Sequence, residues 1–215
     1  MGGKLVVNEI FRSLQGEGTR AGAPCTFVRL TGCNLRCNWC DTQYAWEDGR
    51  EMSVEEVLAE VEKLAVRRVE VTGGEPLVQP AATDLLKCLC DLGYETLLET
   101  NGSVLISAVD PRVVRIVDFK CPSSGQSDAN RWENVHCLTP RDEVKFVVAN
   151  RTDFDYAAGH VRRDDLARKC VVLLSPVHGR LGPDTLAEWI LEAGLDVRLA
   201  VPLHKMLWPE RQRGA

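Results

Sequence analysis

Val69-Glu70-Val71-Thr72-Gly73-Gly74-Glu75-Pro76 reads as a short β-branched strand running into a glycine-rich turn. β-branched residues favour extended backbone, and Gly and Pro end it. Downstream, a helical pattern over about 81–92 stops at Gly93, the residue type that closes helices in a left-handed turn, and a strand follows at 95–99. Upstream, Ser53-Val54-Glu55-Glu56 is a capping box that opens a helix with apolar Val54, Val57, Leu58, Val61 and Leu64. Before it, residues 26–30 read as a strand. Strands alternating with helices mark βα crossovers and a mainly parallel sheet. Further strands are expected near 117–120, 144–148, 170–174 and 197–201. Helices are expected over roughly 152–169 and from Pro183 to a stop at Gly194. The stretch leading into 112–120 is too short for a good helix. The pattern predicts an α/β fold: a single domain over 1–215, with about six strands curled into an incomplete, TIM-like barrel. In such barrels chemistry sits at the C-terminal ends of the strands.

The chain has 215 residues, enough for one buried core, and its 45% hydrophobic and 27% charged content is near the globular average. No apolar run approaches the roughly 20 residues of a membrane helix. The first residues lack the apolar stretch of a signal peptide. A cytoplasmic, reducing location is therefore expected, where disulfides are rare, so the nine cysteines need another explanation. The net charge of −5, with no concentrated basic footprint, argues against a nucleic-acid partner, and no membrane association is expected.

Cys33-Asn34-Leu35-Arg36-Cys37-Asn38-Trp39-Cys40 supplies that explanation. Three thiolates leaving one strand within eight residues can converge on one centre, and thiolates select zinc, Cu(I) or iron–sulfur clusters. Structural zinc takes four ligands, so it would need a distant fourth. Three ligands on a four-iron cluster leave one iron open, an arrangement suited to chemistry rather than electron carriage. Incidental buried thiols are the bland alternative. Cys88 and Cys90 point to different faces of one helix, and with Cys25, Cys121, Cys137 and Cys170 they read as structural. Within the strand 26–30, Val28 and Leu30 share one face. Arg29 is left beside Phe27 on the lumen side, with a planar fork matched to a carboxylate.

The cysteine triplet, with Trp39 before its last member and a Gly-Gly-Glu-Pro turn about 30 residues on, resembles the radical S-adenosylmethionine enzymes. The resemblance implies a 4Fe-4S cluster whose open iron chelates S-adenosylmethionine. One electron then yields a 5′-deoxyadenosyl radical that abstracts a substrate hydrogen; the cofactor carries the hard chemistry and the protein supplies position. Four further segments are similar to the 7-carboxy-7-deazaguanine synthase family: Leu14-Gln15-Gly16-Glu17-Gly18, Cys40-Asp41-Thr42, Glu99-Thr100-Asn101-Gly102 and Leu203-His204-Lys205. This resemblance implies radical ring contraction of 6-carboxy-5,6,7,8-tetrahydropterin to 7-carboxy-7-deazaguanine with loss of ammonia. It implies the cluster on Cys33, Cys37 and Cys40, and Mg²⁺ at Thr42, which otherwise reads as a loop hydroxyl capping backbone. S-adenosylmethionine contacts fall at Trp39, Gly73, Gly74, Glu75, Asn101, Lys120 and Ser175. The pterin falls at Leu14, Gln15, Gly16, Glu17, Arg29, Thr72 and His204. No side chain is implied as the reacting group. An electron donor such as flavodoxin or ferredoxin and a homodimer are implied as partners. A glycyl-radical activating enzyme acting on a protein, and a metal-binding or electron-transfer module, are the competing readings.

Overall fold

The computed structural model describes residues 3–211 and 213–214. Its elements, in chain order, begin with β1 (Lys4–Leu14), β2 (Pro24–Leu30), β3 (Arg50–Ser53), α1 (Val54–Lys63) and β4 (Arg68–Gly73). They continue with α2 (Ala81–Asp91), β5 (Glu95–Thr100), β6 (Val114–Asp118), β7 (Glu143–Val148), α3 (Arg151–Arg163) and α4 (Leu166–Lys169). The last are β8 (Val171–Pro176), α5 (Pro183–Ala193), β9 (Arg198–Leu199) and α6 (Leu203–Leu207). One sheet has the order β3-β1-β2-β4-β5-β6-β7-β8-β9. From β2 onward every neighbouring pair is parallel, whereas β1 is antiparallel to both β2 and β3. The sheet does not close, and the expected partial barrel is what forms.

The local signals account for most ends. Ser53 accepts the Glu56 N–H and the Glu56 carboxylate accepts the Ser53 N–H, the reciprocal bonds of a capping box. Gly194 closes α5 at φ 59°. The strand count differs from the expected six or so, because nine strands are present among the described residues. Two of the additions, β1 and β3, lie before the first helix. The strand expected at 117–120 begins earlier, at Val114, and that at 197–201 shrinks to Arg198–Leu199. The helix expected over 152–169 is two, because Asp165 adopts a left-handed conformation at φ 49° and reverses the chain.

Two layers of core result. On the outer face Val28, Leu30, Val71, Leu98, Val117 and Phe146 pack against helix residues such as Val57, Leu85, Leu89, Phe154 and Leu186. On the inner face Leu97, Val114 and Ile116 form a small separate plug. Burial of the outer layer fixes register, since a one-residue slip would turn every lumen side chain outward.

Candidate active site

The C-terminal ends of the parallel strands surround a cleft of about 600 Å³. Period-two alternation lines it with Arg29 from β2, Thr72 from β4, Glu99 from β5, Asp118 from β6, Lys145 from β7 and Ser175 from β8. Val28 and Leu30 are fully buried on the opposite face, as the strand pattern requires. Arg29 pairs in register with Thr72. Its Nε donates to Glu9 Oε1 at 2.8 Å, and the Tyr44 hydroxyl donates to the same oxygen at 3.0 Å. The rings of Phe11 and Tyr44 stand 5.8 Å from the guanidinium carbon. Among the described residues no protein acceptor takes the terminal guanidinium N–H groups, so the fork is oriented and available to a carboxylate.

The cysteine loop follows β2. Cys33, Cys37 and Cys40 are half-buried free thiols on one wall of the cleft. Gly32 N–H donates to the Ala45 carbonyl, and Asn38 donates to the carbonyls of Ser123 and Ser124. Arg36 donates to the Cys33 and Leu35 carbonyls and lies over Trp46, 4.4 Å from the ring centroid. Gly73, at φ 152°, presses against the Leu30 backbone at the end of β2, and Gly74 against this loop at Gly32 and Cys33, where no side chain fits. Asn101 donates to Asn34 Oδ1 at 3.1 Å and more weakly to Cys33 Sγ at 3.7 Å.

The donor set fits the implied cluster. Burial pushes the Cys37 and Cys40 thiols above their ordinary value, so thiolates here need compensating positive charge, which an iron cluster carries. Among the described residues no group of three His, Cys, Asp or Glu side chains is close enough to hold a single metal ion. Three thiolates around an open cleft match a cluster with one iron left for a ligand. Thr42 lines the same wall and donates to Asp41 Oδ1 at 2.9 Å, placing two oxygen groups side by side. Oxygen donors suit a hard cation such as Mg²⁺.

Residues 27–116 match the model of the radical SAM superfamily. A 7-carboxy-7-deazaguanine synthase from Koribacter versatilis is 44% identical, over 98% of this chain and 100% of its own length. The chain belongs to the 7-carboxy-7-deazaguanine synthases. A second synthase, from Chlorobaculum tepidum, is 43% identical over 98% of this chain and 97% of its own. In fold, the crystal structure of QueE from Escherichia coli is similar at a TM-score of 0.77 and 25% identity, covering 94% of this chain and 95% of that one. Membership in the synthases sets aside the activating-enzyme and metal-module readings.

Most residues expected of a 7-carboxy-7-deazaguanine synthase site meet in this one cleft. Leu14, Gln15, Gly16, Glu17, Arg29, Thr72 and His204 line it, as do Trp39, Gly73, Gly74, Asn101, Lys120, Ser175, Thr42 and the three cysteines. Glu75 does not. Its carboxylate is fully buried and accepts from Leu77 N–H, the Thr100 hydroxyl and Asn101 N–H at 3.0, 2.8 and 2.6 Å. The resemblance implied a contact with S-adenosylmethionine; in this geometry the Glu75 carboxylate sets the backbone of the Asn101 turn. Gln15 is likewise committed, donating to Glu70 and accepting Glu17 N–H.

The C-terminal segment spans the cleft mouth. Leu203 N–H donates to the Gly16 carbonyl at 2.8 Å, and a side chain on Gly16 would run into the His204 ring. Lys205 pairs with Asp41 at 2.9 Å, joining this segment to the cysteine loop. Burial, reinforced by Lys205, holds His204 below its ordinary value.

Sequence reasoning missed the charged floor of the synthase cleft. Lys145, Glu70 and Asp118 are all buried there, and Lys145 pairs with Glu17 and Glu99. The signal was present in Glu143-Val144-Lys145-Phe146, where charged and apolar residues alternate. Such alternation ordinarily marks a solvated face, but in a barrel the same face is the lumen.

Proposed function

We propose that the cleft converts 6-carboxy-5,6,7,8-tetrahydropterin to 7-carboxy-7-deazaguanine with loss of ammonia. The observation that carries this reading is the arrangement of one cavity, with an oriented, unspent arginine fork on β2 and three free thiols in the loop that follows it. The fork takes the substrate carboxylate. Glu17 accepts from the aminopyrimidinone edge, Thr72 and His204 complete the pterin wall, and Leu14, Gln15 and Gly16 shape the loop that carries Glu17. Cys33, Cys37 and Cys40 hold the 4Fe-4S cluster. Asn101, Lys120, Ser175, Trp39 and the Gly73–Gly74 backbone flank S-adenosylmethionine, with Glu75 fixing the Asn101 turn from behind. When bound, cluster and S-adenosylmethionine supply one-electron hydrogen-abstraction chemistry. Thr42, beside Asp41, offers an oxygen to Mg²⁺ shared with the substrate. The segment carrying His204 and Lys205 shields the mouth from water.

The finer features of this reading are a cytoplasmic homodimer reduced by a flavodoxin or ferredoxin. No helix among the described residues is long and apolar enough to cross a membrane. The decisive experiment is anaerobic mass spectrometry of products from reconstituted protein given reductant, S-adenosylmethionine, Mg²⁺ and the tetrahydropterin. A product with the mass of 7-carboxy-7-deazaguanine is expected. Appearance of 5′-deoxyadenosine alone would overturn the substrate assignment while leaving the radical chemistry in place.

A further inference from the structure

Four elements converge on one buried ammonium group at the floor of the cleft. Lys145, on β7, is only 7% exposed. It donates to Glu17 Oε2 in the β1–β2 loop at 2.9 Å and to Glu99 Oε1 on β5, and Asp118 Oδ2 on β6 stands at 3.8 Å. Asp118 is already bonded by Lys120 at 2.9 Å. Two lysines therefore serve three carboxylates, and Asp118 Oδ1 is buried with no partner among the described residues. Lys145 is the cation on which Glu17 depends. Among the described residues Glu99 has, besides it, only the Thr72 hydroxyl at 3.3 Å. Part-buried carboxylates that share one ammonium group do not both stay ionised once it is removed.

We propose that Lys145 is a positioning residue for the aminopyrimidinone ring, holding Glu17 and Glu99 as a fixed pair of ionised acceptors for its N–H donors. The proposal rests on the reading of the cleft as a pterin site. An aminopyrimidinone edge presents adjacent amide and amine N–H groups, which need acceptors. A protonated carboxyl would turn an O–H donor toward them instead. Burial already pushes Glu17 above its ordinary value against the pull of Lys145, with Glu99 and Asp118 adding to the push. Burial acts the same way on Glu99, but there the charge and hydrogen bond of Lys145, helped by the charges of Lys120 and Arg29, outweigh it and hold the carboxyl low. Without Lys145 the two acids share a proton. Among the described residues no other cation contacts Glu17 or Glu99. Lys120 is bonded to Asp118, and Arg29 directs its Nε to Glu9 and its free fork to the substrate carboxylate; their charges favour ionised Glu99 only from a distance, while Asp118 and Glu70 add repulsion. His204, held below its ordinary value, is neutral near pH 7.

The test compares K145M and K145R with the unaltered enzyme, each reconstituted, reading kcat and KM for the tetrahydropterin from about pH 6 to about pH 9. Product from the unaltered enzyme establishes the pterin reading; without it that reading fails first, and the proposal with it. Given that product, K145M should raise KM at least about tenfold at neutral pH and change kcat by less than about threefold. The KM penalty should shrink as pH rises and the shared proton leaves. K145R should stay close to the unaltered enzyme, and E17Q combined with K145M should be no worse than K145M alone, since the second change acts through the first. A pH-independent KM, a loss confined to kcat, a K145R as poor as K145M, or additive single effects would each overturn the proposal. Should K145M not fold, D118N carries the test. It leaves Lys145 to Glu17 and Glu99 alone, so the acid limb of the KM profile should move to lower pH, and an unmoved limb would overturn the proposal.

Discussion

Gly74 lies against Cys33 with no room for a side chain: an added Cβ would stand 2.8 Å from the Cys33 Cβ and run into the Gly32 carbonyl oxygen. The backbone after β4 thus forms the bed on which the cysteine loop rests, and Glu75 N–H, donating to the Gly32 carbonyl at 2.8 Å, fastens the two together. Position of the thiols depends on this contact as much as on their own loop.

Substituting that glycine should therefore displace the thiols. G74A is expected to lower iron bound after reconstitution and to cut turnover by about a hundredfold, as misplacement of about an ångström does in an organised site. G159A is the control. Gly159 lies within α3, and a methyl group there would meet nothing within 4 Å, so alanine should add about 0.5–1 kcal/mol of stability and leave iron unchanged. Iron content and urea midpoints of the two variants decide the matter, and equal iron in G74A would refute the contact's role.

The nine cysteines divide by their surroundings. Cys33, Cys37 and Cys40 face the cleft, whereas Cys25 in β2, Cys121 after β6 and Cys170 before β8 are buried away from it, with thiols that burial pushes up and no cleft-facing partner to ionise them. C37A should lose the cluster and turnover together. C121A should keep both and cost about 1 kcal/mol from a lost packing contact. Chemical iron analysis beside urea unfolding separates the cases, and iron loss in C121A would contradict this division.

How much of this was legible follows from what each residue faces. The capping box at Ser53 and the helix stops at Gly93 and Gly194 are local signals, and each formed as read; the cysteine triplet is equally local, and its three free thiols line one wall of the cleft. Strand β1 was missed because Lys4–Leu14 mixes polar and apolar residues on both faces, and its pairing with β2 and β3 is a tertiary choice. The break at Asp165 was hidden for a different reason: aspartate enters the left-handed region only where the following chain requires it. Lys145 and Glu70 were passed over because charged strand residues ordinarily face water. Only barrel curvature, set by the whole sheet, turned them inward.

Glu70 gives a stability test of that inward face. It is 2% exposed and receives a hydrogen bond from Gln15, and among the described residues no cation contacts it. Burial, then repulsion from Glu99 and Glu17, holds its carboxyl well above the ordinary 4.5. The folded state therefore binds this proton more tightly than the unfolded chain. Its contribution is full below about pH 4.5 and is lost as pH rises toward the folded value. E70Q should match the parent near pH 4 and exceed it by about 1–3 kcal/mol near pH 8. Urea midpoints at the two pH values measure this, and a gap independent of pH would rule it out.

Asp142 presents the opposite sign. Fully buried just before β7, it accepts from Arg115 N–H at 2.8 Å, from the Arg115 Nε and Nη2 at 3.1 and 2.6 Å, and from the Thr139 N–H and hydroxyl at 2.7 and 2.8 Å. Burial alone would raise its carboxyl, but the bonds from Arg115 and Thr139 outweigh burial and hold it below 3.8. The depressed value means that its stability is present above 3.8 and is lost as pH falls through the folded value. D142N leaves Arg115 buried without its counter-charge and should cost about 3–5 kcal/mol at neutral pH, with the difference from the parent narrowing in acid. Replacing both partners, as in R115M combined with D142L, removes the uncompensated charge and should recover most of the loss, because an apolar pair carries no desolvation penalty. Urea unfolding of the three proteins checks this. A double variant no more stable than D142N would mean that the hydrogen bonds tying β6 to the turn at Thr139, rather than the stranded charge of Arg115, hold this part of the sheet together.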